Sequence, residues 1–278
     1  EGFPGENLNI IAATIPAPGT GTKRVEAHII TILKERFSIG PDDFVSAEIQ
    51  AVPAGPARDL GIDRSLIIGY GQDDRVSAYT ALTALLETEK PSRTCLCLLM
   101  DQEEIGSQGS TAAASRFFEY LAQELLEKTG GTVADFPSAM MRSQAISADV
   151  TAGFDPGYRE VHDPLNAARI GAGVCLEKTT GARGKRGSIE PTAEYLAHLR
   201  SIFDREAVVW QTGEIGKVEQ GGGGTVAFVL ARLLIDTADC GVPILSMHAP
   251  FEVASKADIY SAYRAYTAFF RHATESGG

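Results

Sequence analysis

Residues 65–86 read SLIIGYGQDDRVSAYTALTALL and combine a short apolar run, an acidic pair and an amphipathic segment. Residues 65–69 have the length and apolar character of a buried strand, and residues 75–86 carry apolar side chains at helical spacing. Asp73 and Asp74 lie between them, just after the carboxyl end of the predicted strand. The stretch therefore predicts a strand followed by a helix, with two acids at the turn.

The same alternation continues to the end of the chain. Apolar runs predict further strands over residues 94–100, 143–148, 207–212 and 242–247. Apolar residues at helical spacing predict helices over residues 111–127, 193–203, 225–234 and 256–272. Such alternation is typical of an α/β fold with a mostly parallel sheet flanked by helices. We expect residues 70–278 to form one domain of this kind.

Residues 1–69 follow a different pattern. Residues 25–36 predict an amphipathic helix, residues 44–52 alternate like a half-exposed strand, and residues 53–61 are rich in Pro, Gly and Ala. These elements are too few to bury a core of their own, so we expect a separate domain or insertion that contacts another copy of the chain. The chain begins without Met, and we expect it to be a piece of a longer protein.

The composition argues against several classes of protein. The 278 residues include 25 Lys and Arg against 36 Asp and Glu, a formal net charge of −11. A general nucleic-acid binder needs clustered basic surface instead. No apolar run approaches the roughly 20 residues of a membrane span, and residues 1–20 lack the pattern of a signal peptide. We therefore expect a soluble, cytoplasmic protein with no nucleic-acid or membrane partner.

Four predicted strands are each followed by side chains that can bind metal. These side chains are Asp73, the pair Glu103 and Glu104, Asp149 and His248. Because ligands bind at the carboxyl edge of an α/β sheet, we expect the four groups to converge. Carboxylate and imidazole donors suit Zn²⁺, Mn²⁺ or Co²⁺, and an adjacent Glu pair can divide into a ligand and a general base. Taken singly, the acids have structural alternatives as helix caps or solvated turns, and a lone His is usually structural.

Three loop features have both a structural and a functional interpretation. Residues 220–225 (QGGGGT) precede a predicted helix like an anion-binding turn, although no Gly-Lys-Ser/Thr follows. Lys185 and Lys217 lie in Gly-rich loops, where each is either solvated or able to pair with an acidic substrate. His162 lies in a predicted loop, where an exposed histidine is the simple expectation.

Five motifs together resemble the M18 metalloaminopeptidases, also called the aspartyl aminopeptidase family. In chain order they are GQDDRVSAYTAL, DQEEIGSQGS, SADVTAGFDP, WQTGEIGKVEQGGGGT and SMHAPFEVASKAD. The resemblance covers residues 70–278, and a weaker match assigns residues 1–69 to the end of the family's inserted dimerisation domain. It implies a zinc-peptidase-like fold and dimers that build into dodecamers.

The resemblance also implies a role for each candidate residue of the metal site. Asp73 bridges two divalent metal ions, expected to be zinc, with cobalt or manganese as alternatives. Glu104 and His248 bind one ion, Asp149 binds the other, and Glu103 is the general base. The bridging residue is followed by a cis peptide bond.

The resemblance assigns the loop residues to the substrate. Gly222 and Gly223 line the substrate pocket, and His162 reaches the active site of a neighbouring subunit. Lys185 and Lys217 are candidates for pairing with an acidic substrate side chain.

The sequence departs from the family at one ligand. The family has a further His ligand in a His-x-Asp context ahead of the inserted domain, and none of the five histidines of this chain has that context. The second metal would keep only Asp73 and Asp149. We therefore expect a truncated chain whose activity by itself is low.

The sequence thus predicts a metal-dependent aminopeptidase that removes an N-terminal residue, acidic by family preference, from peptides. One alternative is deacylation of a small amide on the same metal scaffold. The other is a truncated, non-catalytic structural subunit. Metal content separates the last alternative from the rest, and aminoacyl against N-acyl substrates separates the first.

Overall fold

The computed structural model describes residues 9–183, 186–217 and 219–273. The chain divides into two compact units, Glu1–Val52 and Pro53–Gly278. No helix in the described ranges has both the length and the apolar character needed to cross a membrane.

The smaller unit contains one long helix. Helix α1 spans Arg24–Phe37, as predicted, and no residue of it is buried. A 3₁₀ helix follows at Pro41–Val45, where the carboxyl group of Asp43 accepts the N–H of Gly40 at 2.7 Å. The prediction of a strand over residues 44–52 is wrong. Its first residues belong to the 3₁₀ helix, and no described segment of the unit forms strand hydrogen bonds with the rest.

The larger unit contains nine described strands in two sheets. The strands are β1 (Arg58–Leu60), β2 (Leu66–Gly69), β3 (Gln144–Ser147), β4 (Thr151–Ala152), β5 (Val174–Glu177), β6 (Trp210–Gly213), β7 (Asp236–Gly241), β8 (Pro243–Leu245) and β9 (Glu252–Ser255). One sheet has the order β1-β2-β9-β8-β4 and the other the order β3-β7-β5-β6. Since β1 and β2 pair within this unit, its boundary falls earlier in the chain than residue 70.

Helices pack on both sheets. They are α2 (Gln72–Leu86), α3 (Phe117–Lys128), α4 (Phe136–Met141), α5 (Ala193–Arg205), α6 (Ala227–Ala231) and α7 (Lys256–His272). The main core is apolar and includes Leu199 and Phe203 of α5 and Tyr266 of α7. The hydroxyl of Tyr266 donates to the carbonyl of Cys240 at 2.7 Å, which joins α7 to β7.

The α/β class is confirmed, and the sheets are mixed. Parallel pairs join β3 to β7, β4 to β8 and β5 to β6, whereas the remaining pairs are antiparallel. The antiparallel pairs arise partly from short returns in the chain, such as the loop between β8 and β9, which leave no room for a helical crossover.

Residues 94–100 do not form the predicted strand. An apolar run becomes a strand only when a neighbour completes its hydrogen bonds, and no described segment pairs with these residues. They line a cavity of about 990 Å³ together with Ile146 of β3 and Phe118 of α3. The motif that follows, residues 101–104, is therefore carried by a turn.

Candidate metal centre

Glu252 holds the backbone of two candidate metal ligands in place. It is the first residue of β9, opposite Gly69 at the end of β2, and it is buried. Its Oε2 accepts the N–H of Asp73 at 3.0 Å, and its Oε1 accepts the N–H of His248 at 2.8 Å. One carboxyl group therefore fixes both the turn after β2 and the turn after β8.

Asp73, Glu104 and His248 form a first cluster of potential ligands. Nε2 of His248 lies 3.1 Å from Oδ2 of Asp73 and 3.1 Å from Oε2 of Glu104. The Asp73 side chain is 7% exposed, whereas those of Glu104 and His248 are 53% and 63% exposed. The cluster therefore combines a buried carboxyl group with two donors that solvent and substrate can reach.

Asp73, Asp74 and Asp149 form a second cluster, whose ligand atoms lie within 4.8 Å of one another. The peptide bond between Asp73 and Asp74 is cis, as the family resemblance implies. Oδ1 of Asp74 accepts the N–H of Val150 at 2.9 Å and the hydroxyl of Ser77 at 3.0 Å. The two clusters share Asp73, the arrangement that a bridging ligand requires.

Crowding and burial raise the pKa values in the second cluster. Burial, followed by the charges of Asp74, Glu104 and Glu252, raises the pKa of Asp73 to about 8. Burial and then the charge of Asp74 raise the pKa of Asp149 well above its ordinary value. Burial likewise raises the pKa of Asp74, although hydrogen bonds with Asp149, Val150 and Ser77 partly oppose the change. Acids that oppose one another's ionisation in this way form a site that a divalent cation stabilises.

Glu103 lies beside both clusters in a short 3₁₀ turn. Burial, followed by the charges of Glu104 and Asp74, raises its pKa to about 7. A carboxyl group with a pKa near neutrality can both accept and return a proton at physiological pH. The adjacent Glu104 points to the first cluster, so the two glutamates occupy different environments.

His162 is buried in its own loop, in contrast to the expectation of an exposed histidine. Its Nε2 accepts the N–H of Asp155 at 3.3 Å, and its ring packs on that of Phe154 with centroids 5.4 Å apart. Within the described ranges, no hydrogen bond joins it to either metal cluster. The structure thus places His162 as a support of the loop that carries it.

The loop of Lys217 lies directly against the loop of His162. The N–H of Lys217 donates to the carbonyl of Val161 at 3.0 Å. The charge of Lys217 contributes to a lowered pKa at Asp163, after the backbone hydrogen bond from Leu165. Lys185, the other candidate lysine, lies outside the described residues.

Gly222 and Gly223 lie against a third loop. The carbonyl of Gly223 accepts the N–H of Gly181 at 2.8 Å. Gly222 has φ of +88°, and a Cβ there would lie 2.4 Å from the carbonyl oxygen of Gly181. Only glycine fits this position, so the glycine run is required by close backbone packing.

Glu252 was not among the predicted site residues, and Asp74 had no predicted role. Glu252 stands four residues after His248 in the segment FEVAS, which is mostly apolar and contains β9. An acid at the buried start of such a strand needs partners, which is the signal that could have identified it. Asp74 was visible as half of the acidic pair.

Two linked groups of zinc-type ligands beside a near-neutral carboxyl group, on an α/β scaffold, are typical of metal-dependent hydrolases. A family model described as "Aminopeptidase I zinc metalloprotease (M18)" matches residues 5–270. The chain belongs to this M18 family, which confirms the resemblance inferred from its motifs.

Named relatives agree with this assignment. A probable M18 family aminopeptidase 1 of Clostridium acetobutylicum is 46% identical over 270 residues, covering 96% of this chain and 58% of that protein. An aspartyl aminopeptidase of Caenorhabditis elegans is 26% identical over 260 residues, covering 91% of this chain and 54% of that protein.

A crystal structure of an M18 aminopeptidase from Thermotoga maritima has the same fold. It superposes with a TM-score of 0.92 at 44% identity, covering 98% of this chain and 60% of that chain. The chain thus spans less than two thirds of the proteins that it resembles.

We predict that Glu252→Gln weakens zinc binding by about 10- to 100-fold, because an amide oxygen replaces one of the two acceptors and its NH₂ opposes the other N–H donor. Chelator competition measures the affinity. The matched control is Glu89→Gln, an exposed glutamate, which should bind zinc as the unaltered chain does. Equal affinity in both variants would contradict the role of Glu252.

We predict that the zinc-free chain loses stability as the pH rises from about 4 to about 8. The pKa of Asp73 is raised from 3.8 to about 8, so the folded chain retains a proton that the unfolded chain has lost. Its contribution is complete below about pH 4 and disappears as the pH passes about 8. Urea unfolding at a series of pH values, with a chelator present, measures how the free energy of unfolding changes with pH.

The decrease in unfolding free energy per pH unit should be smaller in Asp73→Asn. It should be unchanged in Asp42→Asn, which replaces an exposed aspartate. A slope that Asp73→Asn leaves unaltered would show that this carboxyl group ionises normally.

Proposed function

We propose that this chain is the larger part of a zinc-dependent aminopeptidase that removes N-terminal residues from peptides. The observation that carries the proposal is the pair of ligand clusters joined at Asp73, with Glu103 beside them. Membership of the M18 family supports the same chemistry.

The donor groups fit two divalent ions. Asp73, Glu104 and His248 would hold one ion, with a mixed carboxylate and imidazole set that suits zinc. Asp73 and Asp149 would hold the second, with Asp74 orienting the loop of Asp149 through the N–H of Val150. When bound, the metal supplies a Lewis acid that lowers the pKa of a coordinated water.

Glu103 is the proposed general base. Its carboxyl oxygen would take the proton from the attacking water and return it to the departing amine. Burial, the largest cause of the raised pKa of Glu103, does not depend on bound metal and favours a carboxyl group that can take up a proton. Glu104, the other member of the pair, would remain a ligand.

The substrate would lie against the loops of Lys217, Gly222 and Gly223. Gly222 lets these loops pack closely, and Lys217 or Lys185 could pair with an acidic N-terminal side chain. The name of the nematode relative, an aspartyl aminopeptidase, supports an acidic preference. His162 would reach the active site of a neighbouring subunit, for which its buried ring would have to become accessible.

A second copy of the chain is the proposed partner of the smaller unit. Its described residues expose many large apolar side chains, namely Ile10, Ile11, Ile15, Phe37, Phe44, Val45 and Ile49. An exposed apolar set of this size is typical of an interaction surface. Light scattering should therefore detect dimers or larger assemblies, and a clean monomer would count against the proposal.

We predict that Glu103→Gln lowers turnover by about 10²- to 10⁴-fold in the active enzyme while zinc content stays nearly unchanged. The paired variant Glu104→Gln should lose zinc, because it removes a ligand. Turnover on aminoacyl and N-acyl substrates, with zinc measured on the same samples, tests both residues and excludes the deacylase alternative. Loss of zinc from Glu103→Gln would mean that the two roles are exchanged.

We predict that the 278-residue chain retains one zinc ion tightly and has little peptidase activity by itself. The first cluster offers an imidazole and two carboxylates, whereas the second offers carboxylates alone and shares Asp73. A catalytic zinc usually has three protein ligands, and the second cluster reaches three only with Asp74, whose Oδ1 already accepts the N–H of Val150 and the hydroxyl of Ser77. Zinc analysis after dialysis measures the ratio, and two retained ions with normal turnover would contradict this prediction.

A further inference from the structure

A row of buried polar side chains crosses the second sheet. Ser147 of β3 is the register partner of Asp239 of β7. On the other side of β7, Leu176 pairs with Cys240, which places the next residue, Glu177, beside Asp239. Side chains of directly opposed residues point to the same face of a sheet. Ser147, Asp239 and Glu177 therefore lie side by side on one face.

These groups are buried without adequate partners. Glu177 is 3% exposed, Asp239 and Ser147 are each 2% exposed, and Thr151 is fully buried. Within the described ranges, both oxygens of Glu177, Oδ1 of Asp239 and the hydroxyls of Ser147 and Thr151 have no partner in full hydrogen-bonding geometry. The hydroxyls of Thr151 and Ser147 nevertheless lie close enough to Glu177 and Asp239, respectively, to lower the pKa values of these acids. Oδ2 of Asp239 does have a partner, because it accepts a hydrogen bond from the hydroxyl of Thr180 at 3.1 Å.

The electrostatic surroundings of the two carboxyl groups are acidic. Burial raises the pKa of Glu177 well above its ordinary value, and the charge of Asp239 adds to the effect, with a smaller contribution from Glu214. Burial raises the pKa of Asp239 to about 6, although hydroxyl groups partly oppose the change. In the described part of the chain, no Lys or Arg forms an ion pair with either group; Lys185 lies outside that part.

We propose that Glu177 and Asp239, with the hydroxyls of Ser147 and Thr151, bind a hard divalent cation of the calcium and magnesium class. All of the donors are oxygens, which suit such ions, whereas the first zinc cluster includes an imidazole. The two negative charges of ionised Glu177 and Asp239 would balance the two positive charges of one divalent ion. The hydroxyl of Thr151 also lies near enough to Glu177 to lower its pKa, so it points to the same site.

This cation would stabilise the loops of the proposed substrate pocket. Asp239 is bonded to Thr180, and the next residue, Gly181, donates its N–H to Gly223. The charge of Asp239 also contributes to the raised pKa of Glu103. The site would thus anchor the glycine loops and reduce the negative field at the zinc centre without contacting the substrate.

The test keeps zinc in excess, so that both ligand clusters at Asp73 are filled, and dialyses the chain against calcium or magnesium chloride at constant ionic strength. We expect saturable binding of one further ion per chain, no release of zinc, and a rise in melting temperature. The absence of saturable binding of either ion, or release of zinc in proportion to the ion bound, would overturn the proposal. This measurement needs no variant and does not depend on peptidase activity.

Two variants locate the ion. Glu177→Gln and Asp239→Asn should each weaken calcium or magnesium binding by at least about tenfold, since loss of a direct ligand costs no less than loss of an outer-sphere partner. The control Glu190→Gln, an exposed glutamate near the same loop, should bind as the unaltered chain does. Unchanged affinity in Glu177→Gln would overturn the assignment.

Lys185 provides the competing explanation, an internal ion pair. If its ammonium group fills the site, the unaltered chain gains no calcium or magnesium, and Lys185→Met lowers the melting temperature as much as Glu177→Gln does. That combination of results would overturn the proposal. Retained ion binding in Lys185→Met would support it.

Discussion

The candidate metal centre keeps several carboxyl groups together in a small, partly buried space. Ligand atoms of Asp73, Asp74 and Asp149 lie within 4.8 Å of one another, and the charge of Asp74 raises the pKa values of both Asp73 and Asp149. The backbone tolerates this crowding because hydrogen bonds fix each element separately. Occupation by metal would remove the repulsion, so binding and local stability are coupled.

Glu252 is the residue that connects this site to the sheet. Its carboxyl group accepts the N–H groups of Asp73 and His248, while the side chain of Gln72 donates to its carbonyl at 2.6 Å. The strand that starts at Glu252 lies between β2 and β8, the strands that precede these two ligands. The backbone positions of Asp73 and His248 are therefore set by strand pairing, and the exposed side chains of Glu104 and His248 complete the cluster.

Local patterns in the sequence were enough to predict the α/β class and the residues that converge at the site. Asp73, Asp149 and His248 follow strands that the apolar runs identified. The prediction of a strand over residues 94–100 was wrong. A strand needs a neighbouring segment to complete its hydrogen bonds, and an apolar run does not show whether one is present. β5 and β7 were missed, because buried acids such as Glu177 and Asp239 interrupt their apolar character. Glu252 was missed because its role depends on contacts with the distant turn at Asp73.

The most direct test is anomalous diffraction at the zinc absorption edge from crystals of the zinc-loaded chain. We predict a strong peak at about 2.0–2.2 Å from Nε2 of His248 and from carboxyl oxygens of Asp73 and Glu104. A weaker peak between Asp73 and Asp149 is compatible with the second, poorer set of donors. Zinc bound elsewhere, with His248 and Glu104 turned away from Asp73, would contradict the proposed metal centre.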